Sequence, residues 1–146
     1  MPAPFIADPD SRFVFANNAK VKNGGFSTSD SLDNPNDVDV WRVNLHRGET
    51  LTASTDTADD FNPDTILALF DHRGNLLAYN DDSGGTLESF LSYEITTTGN
   101  YFVAVSSYFN FPNEAFGGEP DDFPSGPTYP GFGGSTGDYD LNLLVS

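Results

Sequence analysis

Alternating apolar and polar positions predict short β-strands along most of this chain. In residues 38–45, Trp41, Val43 and Leu45 are apolar and alternate with polar side chains. Residues 139–145 alternate in the same way. A period of two places successive side chains on opposite faces of a strand, so both segments are predicted as strands with one buried face.

The segment 65–70 has apolar residues at both its odd and its even positions, which predicts a central strand that is covered on both faces. The turn residues 71–75 follow it, and residues 76–79 then return. We therefore predict a hairpin over residues 65–79.

The whole pattern predicts an all-β fold, an antiparallel, jelly-roll-like β-sandwich of about eight strands. The predicted strands cover residues 12–17, 38–45, 50–55, 65–70, 76–79, 90–95, 101–105 and 139–145. Residues 1–11 are interpreted as a linker or lead-in and 12–146 as a single domain. Residues 23–37 are predicted as a loop, and residues 108–137 as a long loop rich in Gly, Pro and aromatic residues.

The charge narrows the possible functions. The chain of 146 residues has 22 Asp and Glu against 6 Lys and Arg, a formal net charge of −16. Nucleic-acid binding and docking on an anionic membrane both need a cationic surface, so we expect neither. Cysteine is absent, which excludes disulfides and thiolate chemistry. No apolar stretch approaches the length of a membrane span, and residues 1–10 do not have the pattern of a signal peptide.

Aspartates are concentrated at the two ends of the predicted hairpin. Asp64 precedes its first strand, and Asp81 and Asp82 follow its second, so antiparallel pairing brings them to one rim, with Asp60 in the adjacent loop. Carboxylates at close range repel one another, and a bound Ca²⁺ would relieve the repulsion. The alternative is that these residues cap turns and face solvent.

A second acidic run contains Asp37 and Asp39. Asp39 lies two positions before Trp41, so its side chain is predicted to be on the same face of the strand and to point toward the core. An inward carboxylate needs a partner, and a metal ion is one choice. The alternative is that the start of the strand emerges into water.

Catalytic patterns are weak. Residues 133–137 match the string G-x-S-x-G around Ser135, but a nucleophile elbow needs a strand before it and a helix after it, and here a Gly-rich loop leads into a strand. His46 and His72 both lie beside predicted turns. We expect no enzyme activity, although paired acids of a hydrolase are a pattern too general to exclude by sequence.

Aromatic residues of the segment 108–132, among them Phe111 and Tyr129, support two readings. They could stack on a polysaccharide or bind an extracellular protein. They could equally anchor the loop on the sandwich, which is the commoner arrangement because exposed aromatic patches are rare on monomers.

Four segments in order resemble the bacterial pre-peptidase C-terminal domain, which is related to clostridial collagen-binding domains. They are the D-x-D strand Asp37-Val-Asp-Val-Trp41 with the turn Gly48-Glu-Thr-Leu51, the hairpin of residues 64–82 with its Asn80-Asp-Asp82 loop, Gly99-Asn-Tyr101, and Gly137-Asp-Tyr139. The resemblance covers about residues 30–146.

This resemblance implies a secreted, non-catalytic accessory domain of a bacterial protein, and we expect the isolated domain to be a monomer. Because some relatives bind Ca²⁺, it also implies a metal site. By position, Asp37, Asp39, Asp64, Asp81 and Asp82 are its candidate ligands, and Asp60 joins them from the hairpin argument. The long segment 108–137 departs from the family pattern, so no ligand property is carried over to it.

Overall fold

The residues that the structure describes form a sandwich of nine strands. The structure, a computed structural model, describes residues 16–34, 37–57, 63–81, 88–108, 110–112, 129 and 135–146. No helix occurs within these ranges. The strands are β1 (Asn17–Asn18), β2 (Gly25–Leu32), β3 (Val38–Leu45), β4 (Thr50–Asp56), β5 (Thr65–Phe70), β6 (Leu76–Asn80), β7 (Phe90–Glu94), β8 (Gly99–Ser107) and β9 (Gly137–Val145).

The strands form two sheets. One has five strands in the order β1-β3-β8-β5-β6, and the other has four in the order β2-β9-β4-β7. Only β1 pairs in parallel, with β3, and all other pairs are antiparallel. The predicted antiparallel β-sandwich is therefore confirmed, with nine strands instead of about eight.

The main core lies between the two sheets. The alternating side chains of β3 and β9 meet there, and Trp41 and Tyr139 contact edge to face with ring centroids 6.3 Å apart. Every residue of β5 is buried, as its apolar residues at both odd and even positions predict. Its position between β8 and β6 explains this, because a strand inside the sheet that is covered on both faces has no polar side.

A second apolar cluster covers part of the outer face of the five-stranded sheet. Val38, Val40, Phe70 and Phe102 contribute to it from the strands, and Tyr129 packs on them from outside the sheet. The long segment thus places at least one aromatic ring on the sandwich.

The interpretation of residues 23–37 as a loop is wrong, because Gly25–Leu32 forms β2 at the edge of the four-stranded sheet. Only Phe26 and Leu32 of this strand are apolar, so its sequence does not show the alternation of apolar and polar residues that predicts a strand. The turn before it carries a signal: Asn23 and Gly24 both have positive φ and link Lys22 to Gly25 by paired backbone hydrogen bonds. An Asn-Gly pair with this conformation is the common two-residue hairpin turn.

The other predicted strands agree with the structure to within a few residues. The segment 12–17 is the exception, since β1 contains only Asn17 of it and residues 12–15 lie outside the described ranges. The proposed linker 1–11 and most of the segment 108–137 also lie outside them.

Candidate functional site: an acidic rim

Ten carboxylates gather at one end of the sandwich. This end, here called the acidic rim, is where β3, β5, β7 and β9 begin and β2, β4, β6 and β8 end, as the strand registers show. Thirteen acidic residues are described, and the ten at this end are Asp30, Asp33, Asp37, Asp39, Asp56, Asp64, Asp81, Glu88, Asp138 and Asp140.

Asp39 points into the protein, as its parity predicts. Its side chain is only 6% exposed, and its Oδ2 accepts a 2.6 Å hydrogen bond from the Tyr139 hydroxyl. Burial raises the pKa of Tyr139 far above its ordinary value, and the neighbouring Asp39 carboxylate raises it further. The hydroxyl is therefore a fixed donor, and the inward carboxylate has a phenol as a partner.

Asp37 closes the turn between β2 and β3. It is 4% exposed, and its Oδ2 accepts a 2.8 Å hydrogen bond from the backbone N–H of Asp33. Its own N–H donates to the carbonyl of Asn34 at 3.0 Å. Both aspartates of the D-x-D strand thus have a structural role in joining the ends of strands.

The hairpin aspartates lie at the same rim on neighbouring strands. The Asp64 N–H donates to the Ser135 hydroxyl at 2.9 Å, and the Asp64 carbonyl accepts from the Tyr108 N–H at 2.8 Å. The Asp81 carbonyl accepts a 3.0 Å hydrogen bond from the Ser89 hydroxyl. Hydrogen bonds from Ser135, Tyr108 and Ser89 to backbone groups of the hairpin therefore fix its two ends at this rim.

The two predicted aspartate groups belong to separate parts of the rim. Val38 and Ile66 both pair with Ser106, so β8 lies between the start of β3 and the start of β5. Two strand spacings separate those starts, about 9.6 Å. Strand β8 therefore lies between the two groups, and Asp37 and Asp39 on the β3 side already accept hydrogen bonds from Asp33 and Tyr139.

The described residues do not complete a metal site. Among them, no group of three or more carboxylate or imidazole side chains is arranged to hold an ion. Asp60 and Asp82, two of the six predicted ligands, lie outside the described ranges. The Ca²⁺ site stays a prediction.

A buried hydroxyl cluster at this rim joins the two sheets and was missed from the sequence. The Thr65 hydroxyl in β5 lies 2.7 Å from that of Thr55 in β4 and 3.0 Å from that of Ser89. The Ser89 N–H also donates to the Thr55 hydroxyl. These residues are isolated polar positions in sequence, and only their convergence in space reveals the cluster.

Ser135, the serine of the G-x-S-x-G string, has a structural environment. Its hydroxyl lies 3.0 Å from that of Ser107, and its N–H donates to the same Ser107 oxygen at 2.9 Å. β9 follows it, as predicted. Both histidines, His46 and His72, are in turns at the opposite end of the sandwich.

Of the aromatic side chains in the segment 108–132 that the structure describes, Phe111 and Tyr129 are buried and Tyr108 is half-buried. Phe111 contacts the rings of Tyr79 and Tyr108 edge to face, at centroid distances of 5.8 and 5.6 Å. Tyr129 is part of the cluster on the five-stranded sheet. Their positions favour the alternative in which they anchor the segment on the sandwich.

The positive charges are segregated from the acidic rim. The five described Lys and Arg residues lie on the central or opposite part of the sandwich, and they are Lys20, Lys22, Arg42, Arg47 and Arg73. Within the described part of the chain, the one ion pair joins His46 and Glu49, and no Lys or Arg forms one. The same part of the chain contains no helix that is long and apolar enough to cross a bilayer.

Comparison with known proteins identifies the family. Residues 37–107 match the family model of the bacterial pre-peptidase C-terminal domain. A probable subtilase-type serine protease of Deinococcus radiodurans is 36% identical over 75 residues, 50% of this chain and 10% of that protein. The chain thus spans about a tenth of the length of this curated relative.

The solved structures show the fold alone. PliG of Aeromonas hydrophila, a periplasmic inhibitor of g-type lysozyme, aligns with a TM-score of 0.57 and 12% identity over 90% of this chain and 96% of its own. PliG of Salmonella Typhimurium aligns with a TM-score of 0.52 and 14% identity over 90% and 99%. With the family match, the resemblance carried by the sequence motifs is confirmed over residues 37–107, which match the model of the bacterial pre-peptidase C-terminal domain family.

Proposed function

We propose that this chain is a non-catalytic accessory domain of a secreted bacterial protein, and that its acidic rim binds Ca²⁺. The observation that carries the accessory role is the family match over residues 37–107, which includes β3 to β8. In the protease relative, the matching segment is a tenth of the protein. So small a share of a protease supports an accessory role for the matching segment.

The polar groups of the rim support a non-catalytic role. Asp37, Asp39 and the Thr55–Thr65 pair use their side chains to join strands and sheets. The serine nearest to a catalytic motif, Ser135, contacts another serine and not a base. Acyl transfer by a serine needs a general base within hydrogen-bond reach, and no described histidine lies at this end.

The concentration of negative charge at the acidic rim supports the binding of Ca²⁺ there. Ten carboxylates share one end of the sandwich, and no described Lys or Arg pairs with them. The β4–β5 and β6–β7 connections, which contain Asp60 and Asp82, begin and end at this rim beside Asp64 and Asp81. These four aspartates would hold the ion as hard oxygen ligands, with Asp37 and Asp39 already committed to hydrogen bonds nearby.

Thermal unfolding of chelator-treated protein tests the metal. At a hundredfold excess of Ca²⁺ over its Kd, binding to the native state adds about 2.7 kcal/mol to the free energy of unfolding. For a domain of this size that raises Tm by about 5–10 °C. Asp81→Ala should remove most of the increase, whereas Glu94→Ala, which removes one negative charge at the opposite end, should keep it.

Two results would contradict this proposal. One is a Tm that responds to neither Ca²⁺ nor EDTA. The other is an increase that NaCl of equal ionic strength reproduces, since this would show screening of the rim and not binding.

A further inference from the structure

A continuous polar groove crosses the outer face of the five-stranded sheet, on the side away from the acidic rim. Two adjacent cavities of about 390 and 330 Å³ form it, and a third of about 320 Å³ adjoins them at the end of the sandwich, where Tyr93 and Tyr101 from the core between the sheets line it. The first, which Lys20 lines, shares Arg42 and Asn100 with the second, and the second shares His72 with the third, which also contains Arg73. These five residues define the polar groove.

The groove is elongated and lies across the strands. Lys20 follows β1, Arg42 is in β3, Asn100 is in β8 and His72 follows β5, in the spatial order of the sheet. With a spacing of about 4.8 Å between strands, the distance from β1 to β5 is about 14 Å. A cleft of that length fits a chain of several units better than one small ion.

The groove has a positive charge in a strongly negative protein. Lys20, Arg42 and Arg73 line it, and its one carboxylate, Asp71, is committed to the β5–β6 turn. Asp71 Oδ1 accepts from the backbone N–H groups of Arg73 and Asn75 at 2.9 and 3.0 Å, and its Oδ2 accepts from the Asn75 amide at 3.0 Å.

Arg42 is held in place by a neutral group. Its Nε and Nη2 both donate to Asn18 Oδ1, at 3.0 and 2.8 Å. A guanidinium has five N–H donors, so this fork orients the group and leaves the other donors for a ligand. The nearest rim carboxylate along β3 is Asp39, about 10 Å away along the strand, and it points to the opposite face toward Tyr139. Asp37 is about 17 Å away, about two Debye lengths at physiological ionic strength. The rim therefore repels an anion in the groove only weakly.

The remaining lining identifies the ligand class. Asn44 donates from its amide to Asn100 Oδ1 at 3.2 Å, so amide groups that suit hydroxyls lie beside the cations. Phe102, the aromatic residue of the two outer-face cavities, is 2% exposed and closed to stacking, while the half-buried Tyr93 lies in the third cavity at the end of the sandwich. Arg42 and Asn100 lie on the face of the sheet in β3 and β8, where backbone groups are already paired in the strand ladder, so this part of the groove offers no edge to an extended peptide.

We infer that this groove binds an anionic oligosaccharide, carboxylated or sulfated, through Arg42 and Lys20 with the asparagine amides as secondary contacts. The inference goes beyond the proposed accessory role and is independent of Ca²⁺, because the groove and the acidic rim are at different parts of the sandwich.

Titration calorimetry in EDTA tests it with four probes: an oligogalacturonate, a sulfated heparin tetrasaccharide, a neutral maltotetraose and a tetraglutamate peptide. We expect saturable binding of at least one anionic glycan, none of maltotetraose, and weaker binding at 200 than at 50 mM NaCl. Arg42→Gln should weaken binding at least tenfold, since a hydrogen bond to a charged group is lost. If Arg42→Gln lowers the stability of the protein, Lys20→Gln, at an exposed position, provides a second measurement of how the cations of the groove contribute to glycan affinity.

The matched control is Arg47→Gln. Arg47 lies in the β3–β4 turn outside the groove, and the substitution changes the net charge equally. Equal weakening by Arg47→Gln would overturn the inference, as would binding of neither anionic glycan or preferred binding of tetraglutamate. Because the assay contains EDTA, failure of the Ca²⁺ proposal would leave this result unaffected.

Discussion

Removal of the Tyr139 hydroxyl tests the buried contact at the centre of the acidic rim. In Tyr139→Phe the ring still packs on Trp41, but Asp39 loses its 2.6 Å donor. Hydrogen bonds to charged groups contribute about 1.5–3 kcal/mol, so we expect a loss of about 2 kcal/mol in the free energy of unfolding at pH 8. In a domain of this size, the Tm should fall by about 4–8 °C.

The same contact predicts a pH dependence. Burial, and then the charge of Asp39, raise the pKa of Tyr139 above its ordinary value of 10.0, so the native state keeps the phenolic proton above pH 10 while the unfolded chain loses it. The unfolded state then binds fewer protons, and the free energy of unfolding falls by about 1.4 kcal/mol per pH unit. The stabilisation from Tyr139 is complete below pH 10 and is lost as the pH rises. Tyr139→Phe lacks this decline, so the two proteins should become equally stable near pH 11.5, about 1.5 units above pH 10.

Urea denaturation of both proteins between pH 8 and 11.5 measures this convergence. Tyr101 also has a raised pKa, mainly through burial, but it is present in both proteins and cancels in the difference. Tyr79→Phe is the matched control, because Tyr79 is exposed. A stability difference that stays constant across this pH range would show that Tyr139 does not keep its proton, and equal stability at pH 8 would refute the hydrogen bond to a charged Asp39.

Two further changes test the contacts that hold the sandwich together. Thr65→Val should lower the free energy of unfolding by about 1–3 kcal/mol, because Thr55 and Ser89 lose a buried partner. The control Thr52→Val, on the outer face of β4, should change it by less than about 0.5 kcal/mol. Similar values for the two variants in urea denaturation would argue against the cluster. Gly48→Ala should cost about 1–2 kcal/mol for its positive φ, and Gly24→Ala should cost more, because its Cβ would also lie 3.0 Å from the Val145 carbonyl oxygen. Equal Tm values for the two alanine variants would contradict that ordering.

Local pattern predicts most strands of this fold but not how they share two sheets. β3, β5 and β9 follow from their alternating or continuous apolar residues. Yet β3 and β4 are adjacent in sequence and lie in different sheets, because β4 pairs with β7 and β9. A turn of a few residues can either return a strand to its neighbour or cross to the opposite sheet, and alternation is the same in both cases.

The candidate site was predictable in location and only partly in chemistry. Parity predicts that Asp39 points inward, but its partner Tyr139 is 100 residues away in sequence, so only strand pairing reveals it. β2 is stabilised as a strand by eight register pairs with β9, although its own residues are mainly Ser, Thr and Asp. Such an edge strand is specified by its neighbour more than by its composition.

Segregation of charge gives the two ends of the sandwich opposite responses to salt. Ten carboxylates at the acidic rim repel one another, so added NaCl should relieve the repulsion and stabilise the fold. The polar groove attracts its ligand through Arg42 and Lys20, so the same NaCl should weaken binding there. Bound Ca²⁺ would act on the rim alone, through a saturable site whose effect persists at salt concentrations that have already screened the repulsion. Stability and groove affinity therefore change in opposite directions with ionic strength, and Ca²⁺ changes only stability, which separates the functions of the two ends within one set of titrations.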